Sequence, residues 1–123
     1  MPSRATYRIA VLAGDGIGPE VITPCLRVID VAAECCGMTA PVYDHLEAGA
    51  ALYSRTGASL PEPTFERAAA ADAILLGAMG LPAIRYEDGT EIAPQLDLRE
   101  RLQLFAGVLE FHLQLLDGGF VTG

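Results

Sequence analysis

The sequence has no lysine. Its eight basic residues are all arginine, at positions 4, 8, 27, 55, 67, 85, 99 and 101, against 16 acidic residues and a net charge of −8. A Walker A loop is excluded, because it requires Gly-Lys. Nonspecific nucleic-acid binding needs a basic surface, and this balance argues against it. Cysteine is scarce. Cys25, Cys35 and Cys36 are an odd count with one adjacent pair, which makes no disulfide framework. No Cys-x-x-Cys or Cys/His spacing suggests zinc, so buried free thiols are expected. No uncharged apolar run reaches the roughly 18 residues of a membrane span. The N-terminus passes straight into Tyr7-Arg8-Ile9-Ala10 without the apolar region of a signal peptide. Together these features predict a protein of the reducing cytoplasm, with no membrane or nucleic-acid partner.

What is present suits one folded unit. The chain has 123 residues, 51% apolar and 20% charged, enough for one domain around one core. Tyr7 to Leu12 reads as a short buried strand. Residues 20 to about 36 read as a helix, with Val21, Cys25, Val28 and Ala32 on one face, widened by Ile22 and Ile29. Pro24 predicts a kink or a frayed first turn, and Gly37 a stop. Met38 to Leu46 reads as a second strand, with Pro41 implying an edge position or an irregular start. A short helix is expected over Gly49 to Leu52, then a turn over Tyr53 to Gly57. Another helix starts near Thr64, a candidate N-cap. Ala73 to Leu76 is an apolar run typical of a buried parallel strand. Leu81 to Ala93 reads as a loop, Gln95 to Phe105 as a helix packing through Leu98, Leu102 and Phe105, and Val108 to Leu115 as a half-buried strand. This alternation predicts an α/β fold with a largely parallel sheet and flanking helices.

The chemistry-bearing stretch is Gly14-Asp15-Gly16-Ile17-Gly18-Pro19-Glu20-Val21. A strand, a glycine turn and a helix N-terminus meet there, where α/β proteins present ligand-facing loops. The spacing is G-x-G-x-G, not the dinucleotide fingerprint G-x-G-x-x-G. On spacing alone, a structural turn and a ligand site both remain open. Arg99 is the leading side chain. Its guanidinium is a planar fork suited to carboxylates, carried on a helix behind a long polar loop. The competing reading is a surface arginine paired with nearby carboxylates. Gln95 lies one helical turn before it. Arg101 follows Asp97 by four residues, the spacing of an exposed helix ion pair. Arg85 and Tyr86 lie in the loop, in reach of a ligand or of solvent. His45, at a strand end, reads as structural or solvated.

The exact string adds more. Gly14 to Val21 resembles the N-terminal signature of the β-decarboxylating dehydrogenases, the isopropylmalate, isocitrate, homoisocitrate and tartrate/D-malate type. Two further blocks agree in order: Leu60-Pro61-Glu62-Pro63-Thr64 with Ala71 to Gly80, and Leu96-Asp97-Leu98-Arg99 with Leu104 to Val108. The resemblance covers about residues 7 to 108, roughly the first third of such an enzyme. It implies a single α/β unit over 1–123, incomplete relative to the family's large domain, with a divergent tail over 109–123.

By resemblance, the parent reaction oxidises a (2R)-hydroxy acid with NAD or NADP and Mg²⁺ or Mn²⁺, and releases CO₂. Arg99 matches the arginine that grips a substrate carboxylate. Gln95 stands where isopropylmalate enzymes carry leucine, which favours a smaller or more hydroxylated acid. Ile17, Gly77 and Glu91 match the cofactor cleft. Position 109 is leucine where the family has a second carboxylate-gripping arginine. The acid–base tyrosine and lysine and the metal aspartates belong to later parts of the family's chain. The resemblance therefore implies a portion of a dehydrogenase, inactive alone and prone to self-association. The alternatives are a small non-catalytic α/β module that binds an anion or nucleotide, and a degenerate product that pairs with a full-length relative.

Overall fold

The computed structural model describes residues 6–104. The expected strand over Val108 to Leu115, position 109 and Phe105 lie outside the described residues. Three strands form one parallel sheet in the order β2-β1-β3: β1 (Arg8–Leu12), β2 (Val42–Leu46) and β3 (Ala73–Leu76). Four helices accompany them: α1 (Gly18–Cys35), α2 (Ala50–Thr56), α3 (Glu62–Ala70) and α4 (Pro94–Arg101). The predicted α/β class is what the chain adopts.

Central β1 is covered on both sides, so its last three residues, Ala10, Val11 and Leu12, are buried without alternation. Leu12 pairs with both Leu46 and Leu76, so all three strands end level. Their connecting loops therefore leave from one edge. The core gathers Ala10, Leu12, Leu46, Ala48, Ala68 and Leu98, with Phe65, Leu76 and Leu102 among the residues packed around it.

Several local expectations are corrected. The predicted apolar face of α1 is buried only in part: Ile22 is buried and Cys25 and Ile29 half-buried, joined by Leu26 and Ala33, while Val21, Val28 and Ala32 are exposed. Apolar residues surround most of this helix, so periodicity alone selects no face. Tyr43 of β2 decides it, donating to the Asp30 carboxylate at 2.7 Å and reaching the Leu26 carbonyl at 3.4 Å. Burial, then the Asp30 bond, raises the Tyr43 hydroxyl to about 12. The helix runs on through Pro24. It stops as expected at Gly37, whose φ of +70° lets Met38 donate back to the Ala33 carbonyl at 2.8 Å. The cysteines are not buried thiols: Cys25 is half-buried, and Cys35 and Cys36 are exposed.

Strand β2 begins only after Pro41, because proline has no N–H for the ladder. His45 is exposed. The expected turn at Tyr53 to Gly57 is instead the second half of α2, which ends on Gly57 at φ +81°. Thr64 is not a cap. Helix α3 starts two residues earlier at Glu62, and the Thr64 hydroxyl donates to the Glu47 carbonyl at 3.3 Å. Arg101 pairs with Glu62 at 2.7 Å rather than with Asp97, and lies over the Phe65 ring at 3.5 Å. The Glu62 bond holds the Arg101 guanidinium above its usual range.

Candidate functional site

The glycine turn is packed by its own chain. A Cβ at Gly14 would overlap the carbonyl oxygen of Ala78, and one at Gly18 or Gly77 would overlap that of Ala13. The loops after β1 and β3 are thus pressed backbone to backbone. Gly77 N–H donates to the Leu12 carbonyl and Asp15 N–H to the Ala78 carbonyl, each at 2.7 Å. Gly16 alone of this set faces open space, its nearest neighbour being Leu81 Cδ2 at 3.8 Å.

Asp15 is the residue the sequence reading missed. It is 4% exposed, the one buried charged side chain among the described residues. Its carboxylate accepts from Ala50 N–H at 2.7 Å, Ala51 N–H at 2.9 Å and Gly80 N–H at 2.8 Å. It therefore ties together the loops that follow all three strands. Two of those donors are first-turn groups of α2, which has no side-chain cap of its own. A helix beginning Gly49-Ala50-Ala51 leaves its orphan N–H groups to be satisfied from elsewhere. That missing cap was the available signal. Gly49, at φ +120°, is required because a Cβ there would stand 2.5 Å from Asp15 Oδ2.

Beyond this knot the surface opens. Met79, Gly80, Leu81, Pro82 and Glu91 line a cleft of about 230 Å³. Glu91 is exposed and pairs with Arg85 at 3.5 Å. The cleft borders the glycine turn through Leu81, and Ile17, 61% exposed, stands on that turn. Ile17, Gly77 and Glu91 thus come from loops gathered at one edge. Tyr86 is tethered instead: its hydroxyl shares a 2.6 Å hydrogen bond with Ser59, and its ring meets Tyr53 edge-on at 5.1 Å. A second cleft of about 200 Å³ lies between the loops after β1 and β2, rimmed by the Glu47–Arg55 ion pair at 2.6 Å.

Helix α4 is held at this edge by both ends. The Ile92 carbonyl, just before it, lies 3.1 Å from where a Gly80 Cβ would stand. Arg101, at its end, grips Glu62 in the first turn of α3. Leu98 is buried in the core. Gln95 and Arg99 are half-buried and one turn apart. Arg99 has no ion pair or side-chain hydrogen bond among the described residues, so the competing reading, a pairing with nearby carboxylates, is not seen there. Gln95 Oε1 is buried without a hydrogen-bond partner, a state that costs about 1–3 kcal/mol. Among the described residues no group of three or more His, Cys, Asp or Glu could hold a metal ion. No helix among them is long and apolar enough to cross a membrane.

Comparison with known proteins agrees with this geometry. Residues 8–116 match the family model described as isocitrate/isopropylmalate dehydrogenase. The chain is 39% identical over 110 residues to the 3-isopropylmalate dehydrogenase of Methylococcus capsulatus, covering 84% of this chain and 29% of that protein. It is 43% identical over 102 residues to that of Bifidobacterium longum, covering 80% and 29%. Among solved structures, the apo β-decarboxylating dehydrogenase of Thermococcus kodakarensis matches with a TM-score of 0.63 at 35% identity, over 81% of this chain and 28% of that one. The chain therefore spans less than a third of the length of these relatives.

Proposed function

This chain belongs to the isocitrate/isopropylmalate dehydrogenase family, and from that premise we propose that it is the N-terminal portion of a decarboxylating dehydrogenase of (2R)-hydroxy acids, inactive alone. One observation carries the reading. The glycine turn and the 77–93 loop leave from the carboxyl edge of a parallel sheet, where such sheets take ligands, and that loop leads into the helix carrying Gln95 and Arg99. The roles divide by chemistry. Arg99, without an ion pair or side-chain hydrogen bond among the described residues, grips a substrate carboxylate as a bidentate fork. Gln95, one turn before Arg99, puts a polar side chain where isopropylmalate enzymes carry leucine, which favours a smaller or more hydroxylated acid than isopropylmalate. Ile17, Gly77 and Glu91 form one wall for NAD or NADP.

The 230 Å³ cleft beside Glu91 is smaller than the roughly 300–1,000 Å³ of ligand pockets, which suits a wall rather than an enclosed site. Bound against Ile17, Gly77 and Glu91, a nicotinamide cofactor would supply the hydride acceptor for the oxidation at C2. The described residues do not fit the implied Mg²⁺ or Mn²⁺, so its ligands fall to later parts of a full-length chain, as do the acid–base tyrosine and lysine. The tail over 109–123 diverges, although the family match extends to residue 116. The protein works in the cytoplasm and self-associates. A stand-alone anion-binding module is less well supported, because the carboxylate of Asp15 already occupies the N–H groups that gather behind the glycine turn.

Two assays test this. The purified chain, given isopropylmalate, isocitrate, D-malate or tartrate with Mg²⁺ or Mn²⁺ and either cofactor, is expected to reduce none of it. A chimera joins residues 1–104 to the remaining two thirds of the Bifidobacterium longum relative. It should oxidise at least one of these acids, and Arg99→Ala should abolish that activity. A folded chimera that is inactive, or one indifferent to Arg99→Ala, would overturn the reading.

A further inference from the structure

The outward face of α1 has no place in the site described above. Val21 is 53% exposed, Val28 67% and Val31 57%, on a helix whose buried residues are Gly18, Ile22 and Ala33. With Pro24 and Cys35 the series runs 21, 24, 28, 31, 35. This alternating spacing of three and four places all five residues along one seam, the pattern by which two helices interlock. A surface helix ordinarily carries polar residues there. Scattered exposed apolar residues need no explanation, but a continuous seam does.

The charges beside the seam say what fits it. Arg27 and Glu34 each precede a seam residue by one position and lie seven apart, so they share one flank. Both are exposed, and neither has an ion pair or side-chain hydrogen bond among the described residues. A second α1 laid antiparallel, with Val28 opposite the partner's Val31, puts Pro24 opposite the partner's Cys35. The two-fold axis then brings Arg27 to the partner's Glu34 and Glu34 to the partner's Arg27. A parallel pair would instead set Arg27 against Ala32 and leave both charges unmatched. The face is self-complementary only in the antiparallel sense, as an isologous contact requires.

We propose that this face of α1 is a self-association surface that takes a second copy of the same chain, packed antiparallel. The proposal is independent of the dehydrogenase reading and of any association through the sheet edges. The seam covers little more than two heptads, so the contact is weak and reversible.

Sedimentation equilibrium of the 123-residue chain in reductant, over a dilution series, tests it. Val28→Glu should weaken dimerisation about tenfold or more, since it places two charges in an apolar seam. Circular dichroism melting should match the parent, because Val28 touches no core. Arg27→Glu and Glu34→Arg should each weaken it about three- to tenfold, less at high salt. The double variant Arg27→Glu/Glu34→Arg should return to near the parent value. A chain monomeric at every concentration would overturn the proposal. So would an unchanged dimer in Val28→Glu, or a double variant weaker than both singles.

Discussion

The knot around Asp15 and the face bearing Gln95 and Arg99 lie at the same edge of the sheet and differ in one respect. In the knot Asp15 accepts three backbone N–H groups, and Gly14, Gly18 and Gly77 meet carbonyls with no space left over. On α4 Arg99 has no counter-ion among the described residues, and the buried Gln95 Oε1 has no donor there. A saturated cluster is architecture, and an unsaturated one awaits a partner. The glycine turn, which carries the most recognisable string in the sequence, belongs to the first kind. Its role is to set the position of the loops that carry the second.

The sharpest way to break this contrast is within the turn itself. Gly14→Ala forces a side chain onto φ +80° and into the Ala78 carbonyl, so the chain should fail to fold or lose more than about 3 kcal/mol. Gly16→Ala keeps a left-handed φ of +56° but meets only Leu81 at 3.8 Å, and should cost about 1–2 kcal/mol. Equal thermal melts for the two variants would show that the turn is not packed as described. Next in size is Asp15→Ala. It strands three backbone donors in a buried position, at about 1–3 kcal/mol for each left unpaired. Urea unfolding should show a loss of several kcal/mol, and hydrogen exchange should quicken first at Ala50 and Ala51. Protection there equal to the parent's would remove Asp15 as their acceptor.

Smaller effects separate the two arginines of α4. Arg101→Ala should lower the thermal midpoint modestly, through loss of its stacking on Phe65 and its pair with Glu62. Arg99→Ala should leave stability within about 0.5 kcal/mol, since no side-chain bond among the described residues is lost. On the proposed reading, its effect shows instead in ligand binding in the full-length context. If the order were reversed in a melt, Arg99 would be structural.

The smallest effect lies far from both regions. The Tyr43 hydroxyl is raised from 10.0 to about 12 by burial and by the Asp30 bond. A raised pKa in the folded state means that this stabilisation is whole below pH 10 and is lost as pH climbs toward 12. Tyr43→Phe should therefore flatten the alkaline fall in stability across that window. An unchanged fall would assign it to other groups.

Some of this was legible in the residues alone. Alternating apolar runs and glycine stops gave the α/β order, because element type follows from local periodicity and from which residues tolerate positive φ. The string from Gly14 to Val21 pointed to the family without any coordinates. The buried face of α1 was legible only in part, since apolar residues line most of the helix and contacts such as the Tyr43–Asp30 bond, made across 13 residues, help select the side that packs. The partner of Arg101 was misread for a related reason: Asp97 is near in sequence, but Glu62, 39 residues away, is near in space.

What the sequence determined by itself was the kind of fold and the family to which it belongs. Both are written in short-range patterns that survive without knowledge of any contact. The tertiary structure decided which groups are spent and which are free. Asp15 reads as one more polar residue in a glycine loop until Ala50, Ala51 and Gly80 are brought to it from 35 to 65 positions away. Arg99 and Arg101 look alike until Arg101 finds Glu62 and Phe65 while Arg99 finds no side-chain partner among the described residues. Whether a polar group is satisfied depends on where distant segments of chain come to rest, and no local pattern carries that information.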